Sequence, residues 1–315
     1  MSETILLIGA AGFVGRHLTS AFLDAGHSVN AVTRRGTSAI DRRASQIALD
    51  TVGGEAGGWA PYLDASSVVI HLASASTPGS SAGSPRKEID QNLLPFLLLL
   101  DALQSRPHIP LQYFSSAGSL YAPREGRPSA ESDPVSPRSY HGAAKIAAEH
   151  FISAWAAQFS TSATVIRPSN IYGPGQLPRS GFGVIPHAFA RMTQGLAMDV
   201  WGDGNETRDY LFVGDLVDLC LAALVRPPSG KVRTINAAHG ESTSLNALFS
   251  LLEKIVELPL KRTYHPQRSV DADHVVVNTR YADELFGWRA RTSLERGLAE
   301  TWQWFRSTQV VGWGG

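Results

Sequence analysis

The chain has 315 residues, is 43% hydrophobic and 18% charged, and balances 28 Lys+Arg against 28 Asp+Glu. That is the composition of an ordinary soluble globule, long enough for one large α/β domain or for one plus a smaller partner. The balanced charge speaks for neither nucleic acid nor an anionic membrane as a partner. The single cysteine, Cys220, lies in an apolar helical pattern and has no internal disulfide partner, which fits core packing in a reducing cytoplasm. The run LLPFLLLL at 93–100 is too short to cross a bilayer and is interrupted by Pro95. With no basic leader and no cleavage site, the N-terminus reads as the first strand rather than a signal peptide.

In chain order, the first segment is also the most informative. Ile5, Leu6, Leu7 and Ile8 form an apolar run of strand length, and Gly9, Gly12 and Gly15 follow at a spacing of three. An amphipathic run then continues to Gly26. Buried strand, glycine turn and helix, in that order, place the free N–H groups of a helix start at the edge of a parallel sheet. Those groups and the helix dipole attract a diphosphate. Gly9 permits the tight turn, Gly12 lets a phosphate approach the backbone, and Gly15 lets helix and strand pack closely. The alternative is a tight β–α turn without a ligand.

His27–Thr33 alternates into a second strand, followed directly by Arg34 and Arg35. In a dinucleotide fold an acid at this place binds the ribose 2′-hydroxyl, whereas arginine accommodates a 2′-phosphate. Thr33-Arg34-Arg35 has no acid, so NADP(H) is favoured over NAD; the plain alternative is a solvated loop. Ile47–Leu49, ending at Asp50, and Val68–Ala73 are the next strands, the latter apolar throughout as a strand buried on both faces should be. Ser74–Pro85 is a small-residue loop, a lid or a linker. Glu88–Gln104 reads as an apolar helix that Pro95 should kink or break.

Leu111–Ser116 is a fifth strand, Arg138–Phe159 a long helix, and Thr164–Arg167 a sixth strand. Glycine and proline then cluster through Gly183. Helices are expected at Asp215–Val225, Leu245–Leu258, Tyr281–Phe286 and Leu294–Phe305, and a last core strand at Thr234–Ala238. No internal repeat is present. Strands alternating with helices call for an α/β, doubly wound parallel sheet of the Rossmann type with ligands at the carboxyl ends of its strands, plus a smaller C-terminal α/β lobe. The expected division is 1–171, with 212–238 returning to it, against 172–211 and 239–315.

Several segments in this order carry a family resemblance: IGAAGFVG (8–15), VIHLAS (69–74), SSAGSLYA (115–122), SYHGAAKIAAEH, RPSNIYGPGQ (167–176), GDGNETRDYLFVGDL (202–216), INAAHGESTSLNAL and FGW (286–288). The chain resembles the extended short-chain dehydrogenase/reductases, specifically their nucleotide-sugar epimerase/dehydratase family of the UDP-glucose 4-epimerase kind. The resemblance implies one lobe binding NAD(P) and one binding a nucleotide-diphosphate sugar, in a cytoplasmic protein able to form a homodimer. It places Gly9, Gly12, Phe13, Val14, Gly15, Thr33, Arg34, Arg35 and Asp50 at the cofactor, with Leu72, Ala73, Ser74, Asn92, Lys145 and Pro168.

In that family a serine or threonine, and a tyrosine with a lysine four residues later, run the chemistry. Lys145 takes the lysine position, where the resemblance has it bind the nicotinamide ribose. Four residues back stands His141; Tyr140 is one residue earlier. On a regular helix residues four apart diverge by about 40° and residues five apart by about 140°. His141 therefore shares a face with Lys145, and Tyr140 reaches that face only through a bulge. An imidazole, with an unperturbed pKa near ~6.5, suits proton exchange, and a nearby cationic lysine lowers it further toward the neutral base. The other reading of His141 is a hydrogen bond in a cleft.

The hydroxyl position also departs from the pattern. Ala117 stands where the family has serine or threonine, leaving Ser116 and Ser119 as replacement candidates or as turn caps. The substrate-binding positions match: Asn170, Arg208 and Arg268 correspond to an asparagine and two arginines on the sugar nucleotide, although Arg208-Asp209 also suits an ordinary ion pair. His17, His27, His108, His187 and His239 have no metal-ligand spacing, so no metal is expected. Two functions follow. One is an NAD(P)-dependent nucleotide-sugar epimerase or 4-ketoreductase with an atypical active site. The other is a dinucleotide or sugar-nucleotide binding protein that has lost chemistry.

Overall fold

The computed structural model describes residues 2–34, 40–48, 56–77, 79–122, 127–178, 183–267 and 276–309. Its strands are β1 (Thr4–Ile8), β2 (Ser28–Thr33), β3 (Ser45–Ala48), β4 (Val68–His71), β5 (Leu111–Phe114), β6 (Ala163–Pro168), β7 (Asn170–Tyr172), β8 (Met198–Trp201), β9 (Thr207–Arg208), β10 (Tyr210–Phe212), β11 (Val232–Ala237), β12 (Thr243–Ser244) and β13 (Arg262–His265). The helices are α1 (Phe13–Asp24), α2 (Ala60–Asp64), α3 (Pro85–Glu88), α4 (Leu94–Gln104), α5 (Tyr140–Phe159), α6 (Val184–Gln194), α7 (Val213–Val225), α8 (Leu245–Val256), α9 (Arg280–Phe286) and α10 (Leu294–Gln309). No helix among the described residues is long and apolar enough to cross a membrane.

The chain divides into two compact units. The first comprises Met1–Leu120, Val135–Arg167 and Val217–Ile235 and is organised on a seven-stranded parallel sheet of order β11-β6-β5-β4-β1-β2-β3. Its register is fixed by pairs such as Ile5↔Val29 and Ile5↔Val68. Strand order turns back on either side of β1, as the doubly wound Rossmann fold requires, so the carboxyl ends of β1 and β4 open a crevice along one edge. Both faces of β4 and β5 are covered: all four residues of each are buried. Leu6, Val69, Phe96, Leu99, Trp155 and Val165 belong to one core cluster. A fully buried side chain of this size contributes about 1.5–3 kcal/mol.

The second unit comprises Tyr121–Pro134, Pro168–Leu216 and Asn236–Gly315. Its own core gathers Tyr172, Phe189, Phe249, Leu252, Leu298 and Phe305 around short strand pairs β7–β10, β8–β13 and β9–β12. Tyr121–Pro134, expected from the sequence in the first lobe, clusters here for a specific reason. The Tyr121 hydroxyl donates to Asn236 Oδ1 (2.7 Å), Asn236 Nδ2 donates to the Ser129 carbonyl (3.1 Å), and Ser129 bridges to Val277.

Two local features of these elements shape the site. Pro95 does break its helix: α3 passes into a π-helical turn at Ile89–Leu93, and α4 restarts with Pro95 in its first turn, where the missing N–H costs nothing. Helix α5 starts at Tyr140 rather than Arg138 because Ser139, in extended conformation, caps it by accepting from the Gly142 N–H. Helix α6 and the parallel pairing of β8 with β13 were not expected at all. Their partners are some sixty residues apart (Met198↔Arg262), so no local pattern marks them.

Candidate active site

The glycine turn is built as its spacing implies. Gly9 has φ +95°, and a Cβ there would lie 2.8 Å from the Ala73 nitrogen; on Gly15 it would collide with the Gly9 carbonyl oxygen. Strand β1, the start of α1 and the end of β4 thus approach backbone to backbone. Gly12, the N-cap of α1, brings no side chain to the helix start, and no acid occupies the first turn. The groove at this turn suits an anion held by backbone N–H groups, so these residues fit a dinucleotide diphosphate. Phe13 and Val14 are half-buried at the helix start, Leu72 and Ala73 half-buried and Ser74 exposed after β4, and Thr33 buried at the end of β2. Arg34 is exposed next to it, and Pro168 is buried at the end of β6. Arg35, Asp50 and Arg268 lie outside the described residues.

Helix α5 is regular at its start, and this decides the pairing left open by the sequence. His141 and Lys145 are 8% and 7% exposed, whereas Tyr140 is 45% exposed. Tyr140 therefore does not join them, and there is no bulge to carry it across. Gly142 makes the close approach possible: a Cβ there would lie 2.5 Å from the Ser119 carbonyl oxygen. Lys145 Nζ donates to the Phe114 carbonyl (2.7 Å) and sits 4.9 Å over the Tyr113 ring. Burial lowers its ammonium to about 8, against the raising fields of Glu88 and Glu149.

His71, Glu88, Asn92, Tyr113, His141 and Lys145 line one crevice. His141 Nδ1 is 3.1 Å from Ser76 Oγ and 4.0 Å from Glu88 Oε1. Asn92 Nδ2 donates to Ser76 Oγ (2.9 Å) and to Glu88 Oε2 (2.6 Å), while Asn92 Oδ1 accepts from the Ala75 N–H (2.7 Å). Burial and then the Lys145 charge push His141 down to about 4, with Glu88 opposing them. Its imidazole is neutral at pH 7 and competent as a base. Burial would raise the Glu88 carboxyl; the Ser76, Ser81 and Asn92 side chains and the nearby imidazole outweigh it and hold the group below its ordinary value. His71 is pushed to about 3 by burial and by Lys145, and its ring stacks on Tyr113.

Ser76 and Glu88 were not singled out from the sequence. Glu88 had a legible signal, since it stands one helical turn before Asn92; Ser76, in a loop of small residues, had none. Ser116 directs its hydroxyl to Ser119 (3.2 Å), and Ala117, at the family's hydroxyl position, is buried and apolar. Ser115 donates instead to Glu149 Oε1 (2.5 Å), which is ion-paired with Arg167 (2.5 Å) beneath the site.

In the second unit, Asn170 Nδ2 donates to the Asp209 carbonyl (2.9 Å) and Arg208 Nη1 to the Thr207 carbonyl (2.9 Å). The carboxylate of Asp209 is occupied by Ser169 Oγ and by the N–H groups of His239 and Gly240, at 2.8–2.9 Å. Among the described residues Asp209 makes no ion pair with Arg208, so that plain account of Arg208 does not hold. No cluster of three or more metal-ligating side chains is present among the described residues.

The NAD-dependent epimerase/dehydratase family model matches residues 5–238. The chain belongs to this family. It is 28% identical to the UDP-glucose 4-epimerase of Mycolicibacterium smegmatis, over 96% of this chain and 98% of that protein. The structure of a Thermotoga maritima UDP-glucose 4-epimerase with UDP-glucose superposes with TM-score 0.89 at 28% identity, covering 97% of this chain and 99% of that one. A Thermus thermophilus UDP-glucose 4-epimerase in complex with NAD gives 0.88 at 25% identity, covering 96% and 99%. The epimerase/dehydratase chain described here shares their seven-stranded parallel architecture throughout.

Proposed function

We propose that this chain is an NAD(P)-dependent nucleotide-sugar epimerase or 4-ketoreductase in which His141 takes the place of the family tyrosine. The observation that carries this reading is the burial of His141 and Lys145 on one face of α5, in a crevice that both line. Gly9, Gly12, Gly15 and Lys145 would hold the dinucleotide, which when bound supplies the hydride acceptor or donor for a sugar carbon. His141 takes the proton of the hydroxyl on that carbon, or returns it in the reductive direction. Lys145 anchors the ribose, and its charge adds to burial in keeping the neighbouring imidazole neutral. Asn170 and Arg208 hold the nucleotide-sugar end. The test is single-turnover hydride transfer, read at the nicotinamide absorbance, with UDP-glucose and a panel of other nucleotide sugars.

The second reading is a binding protein on the same fold, and Ala117 favours it because no hydroxyl stands at that position. Tight binding of dinucleotide and nucleotide sugar with no hydride transfer to any sugar would decide for it.

Arg208→Ala should weaken UDP-glucose binding by roughly 10- to 100-fold, the worth of a charge-assisted hydrogen bond. Dinucleotide affinity should stay within about twofold by calorimetry. An equal loss of both ligands would make Arg208 a residue of the fold and not of the substrate site.

For the cofactor we propose a preference for NADP(H), resting on Arg34, exposed directly after β2, and on Arg35 beside it. NADP(H) should bind roughly tenfold tighter than NAD(H), and Arg34→Ala/Arg35→Ala should erase the difference. Equal affinities in the unmodified protein, or a preference for NAD(H), would remove the proposal.

A further inference from the structure

We infer that Glu88, through Ser76, is the positioning group that keeps a proton on His141 Nδ1 and so leaves Nε2 as the atom that exchanges the substrate proton. This deepens the acid/base reading of His141 and rests on it.

The hydrogen-bond donors around Ser76 and Glu88 favour that tautomer. The Ala75 N–H fixes Asn92 with Oδ1 toward the backbone, so both Nδ2 hydrogens point at Ser76 Oγ and Glu88 Oε2. Ser76 Oγ is then an acceptor toward Asn92 and has one proton to give. Glu88 is 2% exposed, and its Oε1 is a buried oxygen with no hydrogen bond among the described residues. An ionised oxygen in that state is costly unless a donor turns to it. The Ser81 hydroxyl donates to the Thr77 carbonyl (3.1 Å) and also faces the Glu88 carboxylate, where its single proton can fill at most one of the two lone pairs of Oε1. The other donors facing Oε1 are the Ser76 proton and a proton on His141 Nδ1. If Ser76 turns to Oε1, Nδ1 must donate to Ser76 Oγ. If Nδ1 donates to Oε1 itself, it is again protonated. The other tautomer, with Ser76 donating to Nδ1, gives Oε1 no donor from this pair and turns the Nδ1 acceptor side of the ring toward the carboxylate. Both arrangements in which the Ser76–His141 pair supplies Oε1 with a proton therefore have Nδ1–H.

Nε2 makes no hydrogen bond among the described residues and carries the lone pair. When the substrate hydroxyl gives up its proton, one O–H bond breaks and one Nε2–H bond forms, and the proton on Nδ1 stays where it is. The resulting imidazolium lies 4.0 Å from the Glu88 carboxylate, which stabilises it, and on the same helix face as Lys145, which does not. Of the other titratable groups lining the crevice with Glu88 and Lys145, His71 is neutral across the working range and burial pushes the Tyr113 phenol up, so it stays neutral too.

The experiment is long-range ¹H–¹⁵N spectroscopy of the full chain labelled with ¹⁵N-histidine, His141 being assigned by its loss in His141→Gln. The unmodified protein at pH 7 should show the Nδ1–H tautomer; an Nε2–H pattern overturns the inference without recourse to any variant. Glu88→Gln sharpens the test. Asn92 donates to Oε2, so the glutamine carbonyl takes that place and its NH₂ takes the place of Oε1, presenting a donor where an acceptor stood. His141 should switch to Nε2–H, and kcat for hydride transfer should fall at least tenfold with the KM for UDP-glucose within twofold. Glu88→Asp, which keeps the charge, should recover most of the rate and the Nδ1–H pattern. An unchanged tautomer and rate in Glu88→Gln overturn the inference. Full turnover by His141→Gln would instead overturn the acid/base reading and the role of Glu88 with it, whatever the spectrum shows.

Discussion

His141→Gln is expected to slow single-turnover hydride transfer by about 10²–10⁴, the range that a positioned acid/base contributes, while both ligands still bind. Tyr140→Phe is expected to leave the rate within about twofold, because the phenol is exposed and off the His141–Lys145 face. The pH profile carries a second signature. His141 must be neutral to accept a proton, so kcat/KM should fall as pH drops through about 4. Lys145 must be charged to hold the ribose, so activity should fall again as pH rises through about 8. A rate lost in Tyr140→Phe alone would restore the family tyrosine and overturn the assignment. A rate untouched by either substitution, in a protein that turns over, would show that both are wrong.

The second large effect is on stability. Arg167→Met should cost about 3–5 kcal/mol, because it leaves the Glu149 carboxylate buried with its counter-charge removed. The two side chains are 8% and 11% exposed, and the Ser115 hydroxyl cannot replace a guanidinium. Urea unfolding followed by circular dichroism measures the loss. Arg167→Met/Glu149→Leu, with no charge left to bury, should recover most of it. A loss below about 1 kcal/mol in the single variant would mean that the pair is solvated and does not secure the end of β6.

The elements of the first unit were readable in the sequence for local reasons. A buried parallel strand is a short apolar run, and VVIH and LQYF are that; the glycine turn is legible because Gly9 and Gly15 are required by backbone approach rather than by chance. Pro95 announced a break, and only its form, a π turn, awaited the structure. The second unit was less legible. Two- and three-residue strands such as β9 and β10 have too few residues to show a period, and β8 and β13 acquire their strand character only from each other.

At the site, helical spacing put His141 on a face with Lys145 and left Tyr140 only a bulge as a route to it, and the regular start of α5 closed that route. The family positions of the glycines, Lys145, Asn170 and Arg208 were likewise fixed by motif and order. Only tertiary structure decided what meets His141 Nδ1. Ser76 and Glu88 come to it from a loop and from a helix interrupted by proline, 65 and 53 positions away, and Asn92 holds both of them. Only tertiary structure, too, occupied the Asp209 carboxylate with backbone N–H groups instead of Arg208. Hydrogen bonds between segments distant in the chain depend on where the backbone carries each donor, and a donor's position in space has no periodicity to read.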